Sequence, residues 1–188
     1  MLQAMLSSFG VVAISEMGDK TQLLAFSLAA RFKRPWPILA GIFVATVLNH
    51  ALASSLGSWV SAQFAPHTLA WVLALTFFGF GVWTLKPDTL DENDAQHRYG
   101  PFLTTTVLFF LAEMGDKTQL ATVALAAKFH SLVAVTLGTT LGMMVSDGLA
   151  VLLGEKLAEH SQSRWIRIAA ACVFFVFAAL SAFRAMGV

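Results

Sequence analysis

The chain is poor in charge. Only 12% of its 188 residues are Asp, Glu, Lys or Arg, against about 25% in an ordinary soluble domain. It has one cysteine, Cys172, so no disulfide can form within it; lying in an apolar run, that residue is expected to be a small buried side chain of a membrane helix. The net charge is +1, and Lys and Arg nowhere cluster densely enough for a nucleic-acid surface. No basic segment precedes the first apolar stretch, which leads straight into charged residues and reads as a first span rather than a cleaved signal. The polar segment Pro87–Gly100 carries Asp88, Asp91, Glu92 and Asp94, but Ala95 and Gln96 stand where an EF-hand loop needs Asn or Asp and then Gly. It reads as a solvated linker.

What remains is apolar: 57% hydrophobic residues and a mean hydropathy of +0.71, in long runs unlike the mixed periodicity of a water-soluble core. In water such a chain would expose far too much apolar surface. The sequence predicts an all-α integral membrane protein with six transmembrane helices, over roughly 2–30, 36–61, 68–86, 100–129, 131–157 and 164–186. Each is long enough to cross about 30 Å of hydrocarbon. The connections after the first, third and fifth carry Arg31, Lys33, Arg34, Lys86, Arg98, Lys156, Arg164 and Arg167, and the other side only Lys128 and Arg184. That bias puts those connections in the cytoplasm and both termini outside.

Against this background one string stands out. Glu-Met-Gly-Asp-Lys-Thr-Gln-Leu occurs at Glu16–Leu23 and again at Glu113–Leu120. Charge inside a hydrocarbon span is costly enough to mark a functional site. At the same 97-residue offset Leu28–Phe32 aligns with Leu125–Phe129, Gly41 with Gly138, and Gly57 with Gly154. The chain therefore divides into a first repeat (1–86), a linker (87–99) and a second repeat (100–188). Three helices per repeat is an odd number, so the second enters the membrane from the opposite side: two inverted three-helix repeats about an axis in the membrane plane. Each octapeptide starts near the middle of its span, so the two meet close to the bilayer midplane.

On a continuous helix, successive residues turn by about 100°, so Glu16, Asp19 and Gln22 share one face, as do Glu113, Asp116 and Gln119. Four carboxylates and two carboxamides form a hard oxygen set suited to Mn²⁺, Ca²⁺ or Mg²⁺, without the Cys or His that would favour Zn²⁺ or Cu⁺. Met17 and Met114 could add a thioether that favours Mn²⁺ over Ca²⁺; packing is the plainer role. Gly18 and Gly115 allow close helix contact or a local unwinding.

Four acids with Lys20 and Lys117 sum to −2, which one divalent cation or two protons would neutralise. Lys20 and Lys117 sit at i+4 from Glu16 and Glu113, placed for an intrahelical ion pair, or as competing cations that move aside for the metal. Asn49 and His50 align with Ser146 and Asp147, where either pair could complete the shell or relay a proton. Spans 68–86 and 164–186 hold almost nothing polar and read as lipid-facing supports, and Gly138 and Gly142 as a packing contact.

The duplicated Glu-x-Gly-Asp-Lys-Thr string resembles the motif of the Gdt-type (MneA-like) manganese/calcium cation transporters, across nearly the whole chain and without a departure in either copy. The resemblance implies an inverted-repeat fold, export of Mn²⁺ or Ca²⁺ from the cytoplasm, coupling to protons, and Glu16, Asp19, Glu113 and Asp116 as metal ligands. It also implies a bacterial inner-membrane form, the transported ion being a substrate and no cofactor being called for. The expected partners are the cation, protons and the lipid bilayer. An exporter of a cationic amino acid is the alternative: paired acids could hold an ammonium, although the lysine in each motif would repel it. A membrane-embedded hydrolase lacks a nucleophile or a His-rich cluster beside the acids.

Overall fold

A computed structural model describes residues 1–86, 100–153 and 164–187. The expected linker 87–99, Gly154 and the polar break before residue 164 lie outside the described residues. Eight helices follow in order among those described: α1 (Leu2–Ser15), α2 (Lys20–Phe32), α3 (Pro35–Gln63), α4 (Pro66–Thr84), α5 (Pro101–Glu113), α6 (Lys117–Phe129), α7 (Leu132–Leu153) and α8 (Arg164–Met186). Prolines in the first turns of α3, α4 and α5 start those helices where a missing N–H costs nothing. Lys33 and His130, at φ 51° and 49°, end α2 and α6 in the left-handed conformation, each N–H bonding back to an alanine carbonyl, Ala29 or Ala126.

The helices over Pro35–Gln63, Pro66–Thr84, Leu132–Leu153 and Arg167–Met186 are long and apolar enough to cross a membrane. The stretches 2–30 and 100–129 are not the single helices expected. Each is two shorter ones, α1–α2 and α5–α6, broken within the octapeptide. The physical reason is local: glycine at positive φ followed by an aspartate that starts a new helix.

α3 and α7 pack against each other at the centre; α1 lies on α7 and α5 on α3, while α2 packs against α7 and α6 against α3. Small residues let these backbones approach. Gly138 faces the Met5 carbonyl and Ser8; a Cβ at Gly142 would stand 2.7 Å from the Phe9 carbonyl oxygen, and one at Gly41 would stand 2.8 Å from that of Phe102. The Gly138/Gly142 pair is thus the seat of α1. α4 and α8 pair with each other through tilted and edge-on rings, Phe77 on Phe177 and Phe80 on Phe174. Their outer faces expose Leu75, Phe78, Val176 and Leu180, which suits a lipid-facing support. Cys172 is on the exposed side of α8, not buried as expected, because Ala171 and Phe174 take the interface.

The glycine contacts give a direct test. Gly142→Val forces a branched side chain into the α1 backbone and should destabilise the protein by about 1–3 kcal/mol. Gly79→Ala in α4, with open space around its Cβ position, should be neutral or stabilising by up to about 1 kcal/mol. Thermal unfolding in detergent measures both.

Candidate functional site

Both octapeptides fold alike. Gly18 (φ 84°) and Gly115 (φ 76°) turn the chain out of the preceding helix, a conformation that glycine adopts without penalty. Asp19 and Asp116 then cap α2 and α6, their Oδ1 atoms accepting from the N–H of Lys20 at 2.7 Å and of Lys117 at 2.6 Å. Three residues further on, the glutamines reach back: Gln22 Oε1 accepts from Gly18 N at 2.9 Å and Gln119 Oε1 from Gly115 N at 2.8 Å. This is close to a capping box, shifted by one residue. The aspartates lie at the positive ends of two half-helices, where negative charge is favoured.

Because the helix is interrupted, the single-face reading of Glu16, Asp19 and Gln22, and of their second-copy equivalents, does not hold; the break brings acids and lysines together instead. The lysines do not pair with the glutamates four residues before them. Lys117 Nζ lies 3.0 Å from Asp19 Oδ2, and Lys20 Nζ lies 3.1 Å from Asp116 Oδ2, so each lysine reaches into the other copy. Glu16 accepts hydrogen bonds from Thr21 Oγ1 at 2.8 Å and from Thr118 Oγ1. Glu113 is fully buried within Coulombic reach of Glu16, Asp116, Asp19 and Asp147, and neither of its oxygens has a hydrogen-bond partner among the described residues.

Ser146 and Asn49 form the walls. Gln22 Nε2 donates to the carbonyl and hydroxyl of Ser146 at 3.2 and 3.3 Å. In the corresponding place Gln119 Nε2 donates to Asn49 Oδ1 at 3.2 Å, and Asn49 Nδ2 donates to the Phe110 carbonyl at 3.1 Å. His50 and Asp147 are fully buried, with both ring nitrogens of the one and both oxygens of the other unpartnered among the described residues. Asp147 feels the charge of Glu16. Met17 and Met114 turn outward, 38% and 57% exposed, so neither fills the interior as packing would require.

The surroundings are unequal. Gly18 is buried and Gly115 exposed, and the Lys117 side chain is 5% exposed against 27% for Lys20. Among the described residues no three Asp, Glu, His or Cys side chains converge closely enough to hold one ion; Asp19 and Asp116 are each engaged by an ammonium group. Sequence reasoning missed the threonines and the cross-pairing. Thr21 and Thr118 lay in plain view inside the repeated string, whereas nothing local in a sequence says which copy's acid a lysine will meet.

The family model for the divalent cation/proton antiporter GDT1 matches residues 4–92 and 101–187. A protein of Vibrio cholerae serotype O1 named "Putative manganese exporter" is 43% identical over 177 residues, covering 94% of this chain and 88% of its own. The Arabidopsis thaliana "GDT1-like protein 5" is 29% identical over 220 residues, 94% of each chain. The Synechocystis "GDT1-like protein sll0615" is 26% identical over 204 residues, 96% of this chain and 97% of its own. No solved structure matches the chain. This protein belongs to the divalent cation/proton antiporter GDT1 family, and is a membrane transporter rather than an enzyme.

Proposed function

We propose that the chain exports a divalent cation, Mn²⁺ before Ca²⁺, from the cytoplasm in exchange for protons. Its ligands are the carboxylates of Glu16, Asp19, Glu113 and Asp116, midway across a bacterial inner membrane, with both termini outside the cytoplasm. The observation that carries this is the reciprocal ion pair: two buried aspartates, one from each octapeptide, each holding the other copy's lysine. An ammonium in hydrogen-bond range of a carboxylate occupies the place a hard cation would take. Displacing both lysines frees four carboxylates for the ion; with the two ammonium groups still counted in the cluster, its net charge of −2 is matched by one divalent ion, and equally by two protons.

Glu16 is positioned for the ion by Thr21 and Thr118, one hydroxyl from each copy. Gln22 and Gln119, whose carboxamide oxygens brace the two breaks, shape the site and add oxygens at its edge. Ser146, Asn49 and Asp147 line it from α7 and α3, and His50, buried on α3 next to Asn49, serves as an accessory group. Preference for Mn²⁺ draws on the name of the Vibrio cholerae relative, and exchange against protons on the family's description.

The fold proposed with it is the pair of inverted repeats, α1–α4 and α5–α8, each opening with a helix broken at mid-membrane. Glycine breaks and left-handed helix ends recurring at the same 97-residue offset support it. Discontinuous helices with N-termini at the substrate are a general device of inverted-repeat transporters.

In proteoliposomes, Mn²⁺ uptake driven by a pH gradient should fall to the level of empty vesicles when the gradient is collapsed with an ionophore. Transport that ignores the gradient would refute the coupling. Glu16→Gln combined with Glu113→Gln should abolish Mn²⁺ uptake, and retained transport would refute the ligand assignment. Lys117→Met leaves Asp19 without its ammonium in a buried place and should cost about 3 kcal/mol, more than Lys20→Met at the more exposed pair. Mn²⁺ should recover part of that loss in thermal unfolding; stabilisation of the parent protein but not of Lys117→Met would show that the lysine is not a competing cation.

A further inference from the structure

A second polar cluster lies away from the octapeptides, where α6 and α8 end and α4 begins. Two cavities of about 360 and 600 Å³ meet there, both lined by Lys128, His130 and Arg184. No Asp or Glu lines either cavity. Among the described residues, every Asp and Glu belongs to an octapeptide except Asp147 on α7, so no described acidic side chain faces the positive charge at this end.

Lys128 is the informative member. Its ammonium lies 4.2 Å from the centroid of the Phe177 ring, 5.5 Å from that of Phe77 and 5.9 Å from that of Phe129. Ring faces attract a cation and fix the long side chain, and the negative end of α6 favours a charge in its last turn. Neither supplies Nζ with a hydrogen-bond acceptor: that nitrogen is buried and has no partner among the described residues. Three unused donors on a buried ammonium are expensive unless an acceptor arrives from outside. His130 stands alongside, its Nδ1 3.2 Å from Ser61 Oγ, and Arg184 supplies a planar fork of donors on the exposed rim. The larger cavity continues over Leu180 and Phe183 of α8, which are 53% and 52% exposed. A headgroup-sized basic pocket thus opens onto an apolar, lipid-facing wall.

We propose that Lys128, His130 and Arg184 bind the phosphate of an anionic phospholipid, whose acyl chain lies along Leu180 and Phe183. The phosphate oxygens supply the acceptors that Lys128 lacks, and Arg184 closes over the headgroup from the rim. Bound there, the lipid ties α6, whose first residue follows Asp116 at the cation site, to the α4–α8 pair. The site stands independently of the transport reading.

The test is thermal unfolding of the full chain in an uncharged detergent. Dioleoyl phosphatidylglycerol should raise the Tm by about 5 °C when well above its Kd, and dioleoylglycerol, which lacks the phosphate, should not. Lys128→Gln with Arg184→Gln should lose the shift, and Lys128→Arg should keep it. If the double variant does not fold, Arg184→Gln alone, a change on the rim, should at least halve the shift. Inorganic phosphate giving the same shift, lost in the same variants, would uphold the anion site and overturn its assignment to a lipid. No shift with phosphatidylglycerol, or an equal shift in the parent protein and the glutamine variants, would overturn the proposal.

Discussion

Two lysine ammonium groups, each reaching from one copy of a repeated octapeptide to an aspartate of the other, are the contact around which this chain is organised. Ions in an apolar interior are tolerable only when paired and hydrogen-bonded. The reach of one lysine side chain sets how close the two copies must come, and that closeness requires α1 to lie on α7 and α5 on α3 with little between the backbones. Glycines at 41, 138 and 142 meet that requirement. The supports α4 and α8 then need only apolar faces and aromatic packing.

The same pairing explains why the helices break where they do. A continuous helix through Glu16–Gln22 would leave Asp19 as an ordinary side chain on one face. Ending α1 at Ser15 and starting α2 at Lys20 turns Asp19 into a helix cap, braced by Gln22 through the Gly18 amide. One carboxylate oxygen of Asp19 is spent on its own helix start, and the other faces Lys117. Each octapeptide is therefore a complete local device: a glycine to leave the helix, an aspartate to begin the next, a lysine for the opposite copy, a threonine for a glutamate and a glutamine to hold the turn.

Much of this was legible in the sequence. Apolar runs between polar breaks located the long helices to within a few residues, and the duplicated string pointed to the proposed site, because charge surrounded by so little other charge has few structural excuses. The break inside each octapeptide was legible in part. Gly18 and Gly115 allowed a local unwinding, but the octapeptide sits in an apolar run long enough for one continuous span, and Gly-Asp-x-x-Gln was not read as the helix start that it is. The partners of the lysines were not legible at all. Spacing of i to i+4 favours Glu16 with Lys20 only if both stand on one helix; once the helix is interrupted, the tertiary fold decides. The threonines were passed over because a hydroxyl beside a carboxylate draws less attention than a charge does.

The two octapeptides are identical in sequence, yet they do not occupy identical surroundings. Gly18 is buried and Gly115 exposed, Lys117 is enclosed and Lys20 half-buried. The difference reaches the supports, since α8 packs on α1 and α4 on α6, whereas the equivalent pairings of α4 with α5 and of α8 with α2 are at most marginal. Identical strings in unequal places mean that the asymmetry is imposed by the packing of α4 and α8, not by local chemistry. On the proposed reading α1 and α6 form one half of the membrane depth and α2 and α5 the other, so the supports pack on one half and at most marginally on the other. An exchange of those pairings would present the same acids to the opposite side. The ligands would not change, and neither would the charge to be neutralised. A site built twice from one string is suited to that task, because either copy can stand in the enclosed place or the open one without altering what the ion meets.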